Sequence, residues 1–261
     1  MKYENIEVER HGAVAKVTFN RPERANALNP LHLADIEHAA LAFRDDAETR
    51  VVVFTGAGRH FSSGADLNER GLSADDLITR RREVRMGERC IQAIREMDQI
   101  TIAAWRGAAM GGGACLALAM DFRIGAIDCH MSFPEILIGV NLMWQSLPLC
   151  VQLMGPARAK RAVISGEWIK GPELERWGVL DEMVESEAVL DKAMEWAALY
   201  ASRAPVAAQM VKRSANAIAS PLDRAIMHMD FDQNLLCAGT ADAAEAVRAY
   251  RAGETPRFEG R

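Results

Sequence analysis

The sequence predicts an α/β fold, because strand patterns and helix patterns alternate through its first half and helix patterns fill its second half. Two apolar runs rich in β-branched residues, at positions 51–55 and 100–105, suit strands that are covered on both faces. Several later helical segments carry a proline at or near their first turn, which favours a helix start. A chain of 261 residues is long enough for one main domain with an appendage.

The elements of the first half follow from hydrophobic periodicity. Alternating residues on either side of His11-Gly12 predict a β-hairpin. The remaining elements are a helix over 30–42, a strand over 51–55 that ends at Gly56, an arginine-rich helix over 77–97, a strand over 100–105, a glycine-rich turn, a short helix and a strand over 122–126.

The second half is predicted to be helical. After about Trp144 the strand signal fades. Helices are expected over 157–164, 172–177, 187–202, 205–218 and 221–237. No repeat, low-complexity tract or flexible linker interrupts these segments.

Composition excludes several classes of protein. With 49% hydrophobic and 26% charged residues the chain is neither disordered nor fibrous, and a net charge of −5 gives no global attraction to nucleic acid or anionic membranes. The charged N-terminus does not resemble a signal peptide, and the longest apolar stretch, 107–120, is too short to span a bilayer. We therefore expect a soluble, cytoplasmic protein without a membrane partner.

Two features argue against metals and nucleic acid as ligands. The five cysteines include no C-x-x-C pair, and the Asp128-Cys129-His130 cluster lacks a second half, so no metal site is expected. The arginine-rich helix could hold phosphate or RNA, although such a run is usually a solvated helix face. Its arginines are Arg80, Arg81, Arg82, Arg85 and Arg89.

Two glycine-rich loops follow predicted strands. In the loop over 56–66, Phe61 replaces the third glycine of a dinucleotide fingerprint, so the loop is either a surface turn or a place where Gly64 lets the Ala65 N–H approach a ligand. In the loop over 107–113, three adjacent glycines precede an apolar helix. They serve either tight helix packing or the presentation of N–H groups to a developing negative charge.

The third candidate is Glu135, which lies among Phe133, Pro134, Ile136 and Leu137. Poor solvation of a carboxylate raises its pKa toward the range useful for general acid and base catalysis. The alternative is a carboxylate that serves only as an ion-pair partner.

Taken together, these loops resemble the crotonase superfamily of enoyl-CoA hydratases and isomerases. Any one motif is weak, whereas the set in this order is specific and covers nearly the whole chain. The matching segments are 20–22 (NRP), 26–28 (NAL), 61–67 (FSSGADL), 111–113 (GGG), 133–136 (FPEI), 155–159 (GPARA) and 256–258 (PRF).

The resemblance implies a spiral of β-β-α units with a C-terminal helical trimerisation region. Residues 1–200 are then expected to form the α/β spiral core, and residues 201–261 the helical oligomerisation region. It also implies a homotrimer or a dimer of trimers. The substrate would be an acyl-CoA thioester, with no separate cofactor, and nucleic acid is not an expected partner.

Site residues follow from the same resemblance. The two oxyanion-hole donors fall on the N–H groups of Ala65 and Gly112, and Glu135 matches a catalytic glutamate. Met143 and Trp144 stand where hydratases have small residues, so they are expected to reshape the acyl pocket. The residues expected to bind the CoA moiety are Arg24, Ala25, Ala27, Ser62, Ser63, Asp66, Leu67 and Asn68.

One departure concerns the reaction itself. Hydratases of the family use two glutamates, and the first of these positions is Cys115 here. A thiol is mostly protonated at neutral pH and replaces a carboxylate poorly. General enoyl-CoA hydratase-type chemistry, Δ3,Δ2-enoyl-CoA isomerisation, a specialised hydratase-lyase reaction, thioester hydrolysis and a catalytically weak CoA- or RNA-binding role therefore all stay open.

Overall fold

The computed structural model describes residues 3–66 and 76–261. Its larger sheet has the order β1-β2-β3-β4-β6-β9, in which β1 and β2 form an antiparallel hairpin and the other neighbours are parallel. A smaller sheet has the order β5-β7-β8. The strands are β1 (Ile6–His11), β2 (Val14–Phe19), β3 (Val51–Gly56), β4 (Ile100–Trp105), β5 (Ala108–Met110), β6 (Phe122–Ala126), β7 (His130–Ser132), β8 (Ile169–Lys170) and β9 (Glu182–Val184).

Twelve α-helices and three short 3-10 helices accompany these strands in the described residues. Short 3-10 helices lie at Pro22–Arg24, Pro134–Ile138 and Ser186–Ala188. The α-helices are α1 (Pro30–Phe43), α2 (Leu77–Val84), α3 (Met86–Arg95), α4 (Gly112–Ala119), α5 (Ser146–Met154), α6 (Pro156–Ser165), α7 (Gly171–Arg176), α8 (Val189–Ala201), α9 (Pro205–Ala219), α10 (Asp223–Ile226), α11 (Asp230–Ala238) and α12 (Ala241–Ala252).

The core confirms the predicted alternation of strands and helices. All six residues of β3 are buried, because the strand lies between β2 and β4 and α8 packs against β3 and β4. This explains why its sequence is continuously apolar rather than alternating. The chain then passes from β4 to β5 and from β6 to β7, so successive segments contribute one strand to each sheet. This repeated pattern builds the spiral.

The predicted helix over 77–97 is wrong as a single element, because the structure has two helices, α2 and α3, with Arg85 between them. The two halves have different surroundings. No residue of α2 is buried, whereas α3 has six buried residues and packs against α1 and α4. The periodicity of the sequence does not reveal this change in surroundings.

Other boundaries also differ from the predictions. The predicted helix over 221–237 divides into α10 and α11, and the glycine-rich turn contains β5. The strand signal does not end at Trp144, since β8 and β9 follow it. These strands have two and three residues, which is too short for an alternating pattern. The sequence also gave no indication of α5 and α12.

A buried lysine attaches α9 to the core. The Lys212 ammonium lies 2.7 Å from a carboxylate oxygen of Asp121 and donates to the Gln99 carbonyl at 2.7 Å. Asp121 also accepts from the backbone N–H and hydroxyl of Thr101 at the start of β4. The division into a core and an oligomerisation region at residue 200 stays a prediction.

We expect Lys212→Met to lower the free energy of unfolding by about 3 kcal/mol, because it leaves a largely buried carboxylate and a carbonyl without their cationic partner. Equilibrium urea unfolding measures the effect. The matched control is Arg213→Met on the same helix, where the exposed ion pair with Asp98 predicts a loss below about 1 kcal/mol. Equal losses would show that Lys212 contributes no more than a surface ion pair.

Candidate functional site

The first donor loop follows β3 and is fixed by an isolated parallel bridge to Leu28. Leu28 donates its N–H to the Gly64 carbonyl at 2.8 Å, and Asp66 donates its N–H to the Leu28 carbonyl at 3.1 Å. In such a bridge the N–H of the intervening residue points to the opposite side. The Ala65 N–H therefore points away from Leu28, and Ala65 lines a cavity.

The second donor comes from the start of α4. Gly111 has a φ of +46°, and the Cys115 N–H donates to its carbonyl at 2.9 Å, which closes the first turn of the helix. Gly112 is therefore a first-turn residue, and no backbone carbonyl of the described residues accepts its N–H. A Cβ on Gly64 would lie 3.4 Å from the Gly112 nitrogen. The two predicted donor positions thus lie side by side.

Glu135 lies in the 3-10 helix Pro134–Ile138 and lines the same cavity. A Cβ on Gly111 would lie 2.6 Å from its Oε1 atom, so the missing side chain at Gly111 makes room for the carboxylate. The third of the predicted elements is therefore next to the first turn of α4. A carboxylate and two backbone N–H positions therefore share one cavity.

Cys115 lies one turn into α4, is 1% exposed and also lines the cavity. Burial raises the pKa of its thiol well above the ordinary range, and the nearby Glu135 charge adds to the shift. The thiol keeps its proton at neutral pH. It therefore cannot take the part of a second carboxylate that accepts a proton.

The structure brings the predicted CoA-binding loops together. The Ser63 N–H donates to the Ala25 carbonyl at 2.9 Å, and the Ser62 hydroxyl donates to the Asn26 carbonyl at 2.8 Å. Ala25 and Asn26 have left-handed φ angles of +51° and +55°, which turns the chain beside Arg24 toward the glycine loop. Ser62 is fully buried, so its hydroxyl serves the loop itself.

Of the remaining residues predicted to bind CoA, the structure describes Ala27 and Asp66. Asp66 is buried and forms an ion pair with Arg21 at 3.1 Å, and Arg21 also donates to the Ala27 carbonyl at 2.7 Å. This pair ties the segment around Ala27 to the end of the glycine loop. Leu67 and Asn68 lie outside the described residues.

Trp144 lines the cavity and also belongs to the hydrophobic core. Its indole occupies a slot between two glycines, because a Cβ on either Gly87 or Gly112 would overlap the ring. Trp144 and Gln145 both have left-handed φ angles, +67° and +55°. Such a conformation costs about 1–3 kcal/mol per residue unless surrounding contacts impose it.

Buried polar groups supply those contacts. Asp230 accepts the Gln145 N–H at 2.9 Å, and its carbonyl accepts from the Asn141 amide at 3.2 Å. The Gln145 side chain donates to Glu88 at 2.8 Å. Burial raises the pKa of Asp230 to about 6 against the lowering effect of the Gln145 N–H, and Glu88 adds to the rise. Sequence reasoning missed this cluster, because its members are distant in sequence.

The cavity combines the two predicted donor loops with walls from α2, α3 and α11. Met143 and Trp144 both line it. The lining residues are Leu28, Pro30, Leu33, Ala65, Asp66, Arg80, Glu83, Val84, Met86, Gly87, Gly112, Cys115, Glu135, Val140, Leu142, Met143, Trp144, Asn234, Leu235 and Ala238. Mostly apolar walls with a few convergent polar groups are typical of a small-molecule site.

Membrane-spanning helices and metal-binding clusters are both absent from the described residues. Within residues 3–66 and 76–261, no helix is both long and apolar enough to cross a membrane. The same residues contain no group of three or more His, Cys, Asp or Glu side chains that could hold a metal ion.

Known proteins resemble this chain over almost its full length. A sequence profile described as enoyl-CoA hydratase/isomerase matches residues 9–261. A crotonyl-CoA hydratase from Syntrophomonas wolfei is 32% identical over 253 residues, which are 96% of each chain. An enoyl-CoA hydratase structure from Bacillus anthracis has a TM-score of 0.79 at 29% identity and covers 99% of this chain and 100% of that one. A monofunctional enoyl CoA isomerase from M. smegmatis has a TM-score of 0.71 at 29% identity, covering 82% and 93%.

Proposed function

Because the chain belongs to the enoyl-CoA hydratase/isomerase family, we propose that it binds an acyl-CoA thioester and stabilises its enolate. The thioester oxygen accepts hydrogen bonds from the Ala65 and Gly112 N–H groups. Glu135 is the acid and base that moves a proton. The observation that carries the proposal is the position of the Glu135 carboxylate beside the first turn of α4, with both donors at the same cavity.

The two donors have a stronger effect on the enolate than on the thioester. Removing a proton from the acyl chain moves negative charge onto the thioester oxygen, and fixed N–H donors stabilise that charge without reorganising. The positive end of the α4 dipole acts in the same direction at Gly112. Each donor of this kind lowers the barrier by about 2.7–4 kcal/mol.

The protonated Cys115 thiol favours a reaction that needs one base. In an isomerisation, Glu135 removes a proton from C2 of a 3-enoyl-CoA and returns it to C4, so that the double bond moves from C3–C4 to C2–C3. Atoms balance, because the same proton leaves and returns. We therefore propose Δ3,Δ2-enoyl-CoA isomerisation as the leading reaction.

Hydration is the second candidate reaction, and the 32% identity with a crotonyl-CoA hydratase favours it. Water would add its oxygen at C3 of a 2-enoyl-CoA, and Glu135 would mediate proton delivery to C2. A specialised hydratase-lyase would begin with the same addition. The conjugated double bond is lost in this reaction, whereas isomerisation creates it.

The opposite spectral changes provide the test. The purified protein is mixed separately with 3-hexenoyl-CoA and crotonyl-CoA, and absorbance of the conjugated thioester is followed. We expect a rise with 3-hexenoyl-CoA, while a fall with crotonyl-CoA indicates hydration. Release of free CoA is measured in parallel to detect thioester hydrolysis. No change with any of a panel of enoyl-CoA esters would overturn the proposed chemistry.

We also propose that the chain assembles as a homotrimer or a dimer of trimers through its C-terminal helices. Large apolar side chains of α9 support this, since Val206, Met210 and Ile218 are 65%, 65% and 80% exposed in the single chain. Light scattering during gel filtration measures the mass. A monomeric species would contradict the proposal.

A further inference from the structure

The cavity lining includes two charged side chains from α2 that the proposed reaction does not use. Arg80 and Glu83 line it from α2, three residues apart and therefore on neighbouring positions of one helix face. Other polar groups of the lining have partners: Asp66 pairs with Arg21, and Asn234 donates to Asn141. Arg80 and Glu83 differ from these, because each has a buried polar atom without a hydrogen-bond partner among the described residues.

One polar atom in each side chain is inaccessible to solvent and lacks a hydrogen bond. These atoms are Nε of Arg80 and Oε2 of Glu83, for which the described residues supply no partner. A buried donor or acceptor without a partner costs about 1–3 kcal/mol. Because buried polar groups are nearly always satisfied, such atoms at a ligand cavity indicate that the ligand supplies the partner.

The position of α2 distinguishes Arg80 from its neighbours in the arginine-rich segment. Arg81 forms an ion pair with Asp232 at 3.0 Å, and the guanidinium groups of Arg81 and Arg85 lie 4.9 and 5.0 Å from the Phe231 ring centroid. These contacts fix α2 against α11, which forms another wall of the cavity. The run of arginines is thus divided between helix packing and the cavity.

We propose that Arg80 and Glu83 form a subsite for a hydroxyl group carried by the acyl chain. When the two side chains turn to admit the ligand, its hydroxyl can accept the Arg80 Nε–H and donate its proton to Glu83 Oε2, which satisfies both atoms. A carboxylate on the acyl chain would be attracted by Arg80 and repelled by Glu83, and an ammonium group the reverse, so neither gains a net attraction from the pair. The opposite charges of the pair therefore select a neutral group that is both donor and acceptor.

The subsite rests on the proposed function, because it requires an acyl-CoA in the cavity. Binding is measured with saturated esters, which have no double bond to move or hydrate. Calorimetry compares hexanoyl-CoA with 6-hydroxyhexanoyl-CoA, and 3-phenylpropanoyl-CoA with its 4-hydroxyphenyl counterpart. We expect at least one hydroxylated ester to bind about tenfold more tightly than its parent, as hydrogen bonds to charged groups predict.

Variants test whether Arg80 and Glu83 cause the tighter binding of the hydroxylated ester. Arg80→Met and Glu83→Leu are each expected to bring the ratio of the two dissociation constants to about one. The matched control is Arg82→Met, an exposed arginine on the same helix, which should retain the preference. Thermal unfolding of each variant confirms that it folds.

The outcomes separate the two proposals. If the parent esters bind and neither hydroxylated ester binds more tightly, the subsite alone is overturned. Tighter binding of adipoyl-CoA, which ends in a carboxylate, would also overturn it. Loss of turnover of an unsubstituted enoyl-CoA by Glu83→Gln would make Glu83 a catalytic residue instead. If no ester binds at all, the proposed function and the subsite are overturned together.

Discussion

Replacing Glu135 with Gln is expected to lower kcat on an enoyl-CoA by a factor of about 10² to 10⁴. The amide has nearly the same size and fits the space beside Gly111, but it cannot accept the proton that leaves the acyl chain. Binding of a saturated acyl-CoA should change little, because its contacts with the donor loops remain. A loss in kcat without a loss in affinity identifies a group that acts in the transition state.

The matched control for this variant is Glu187→Gln, which changes an exposed glutamate in the 3-10 helix Ser186–Ala188. It should keep the activity of the wild-type protein. The measurement is steady-state kinetics on the enoyl-CoA that the wild-type protein converts, with circular dichroism as a check of folding. If Glu135→Gln also retained wild-type kcat, Glu135 would have no part in proton transfer.

Gly64→Ala is expected to lower kcat by about 10² to 10³, which is the effect of losing one oxyanion-hole donor. Gly64 has a φ of +83°, and a Cβ there would overlap the Met110 carbonyl oxygen. To relieve this contact the loop must move, and the Ala65 N–H moves with it. The strained backbone should also cost about 1–3 kcal/mol in the free energy of unfolding.

Gly12→Ala is the matched control, because it introduces backbone strain without displacing the Ala65 N–H. Gly12 has a φ of +64° in the turn of the β1–β2 hairpin, and nothing lies within 4 Å of a Cβ built there. This variant should lose about 1 kcal/mol of stability through strain alone and keep its kcat. If Gly64→Ala behaved in the same way, the Ala65 N–H would not be a catalytic donor.

Much of the fold could be predicted from local sequence patterns. The hairpin, β3, β4 and α1 follow from periodicity within short windows, and their approximate positions are confirmed. The break at Arg85 could not be predicted in this way, because it depends on α2 and α3 packing against different partners. The strands β8 and β9 pair with distant segments and are too short to carry a pattern of their own.

In the candidate site, too, the residues with a local sequence signal could be predicted and those that depend on distant contacts could not. Glycines with steric demands and a carboxylate among apolar residues are visible in the sequence, so the loops of Ala65, Gly112 and Glu135 could be predicted. Asp230 could not, because its role depends on the N–H of Gln145, a residue 85 positions earlier in the chain. Local composition does not reveal which distant groups a buried carboxylate meets.

The slot around Trp144 limits which substitutions the lining of this cavity can accept. Gly87 on α3 and Gly112 on α4 both leave space for the same indole ring, so a side chain at either position requires a smaller residue at 144. Conversely, shrinking Trp144 alone leaves a void against two glycines that cannot fill it. The three positions should therefore vary together among homologues, and a library that enlarges the acyl pocket should randomise residues 87 and 144 jointly while keeping the donor at Gly112.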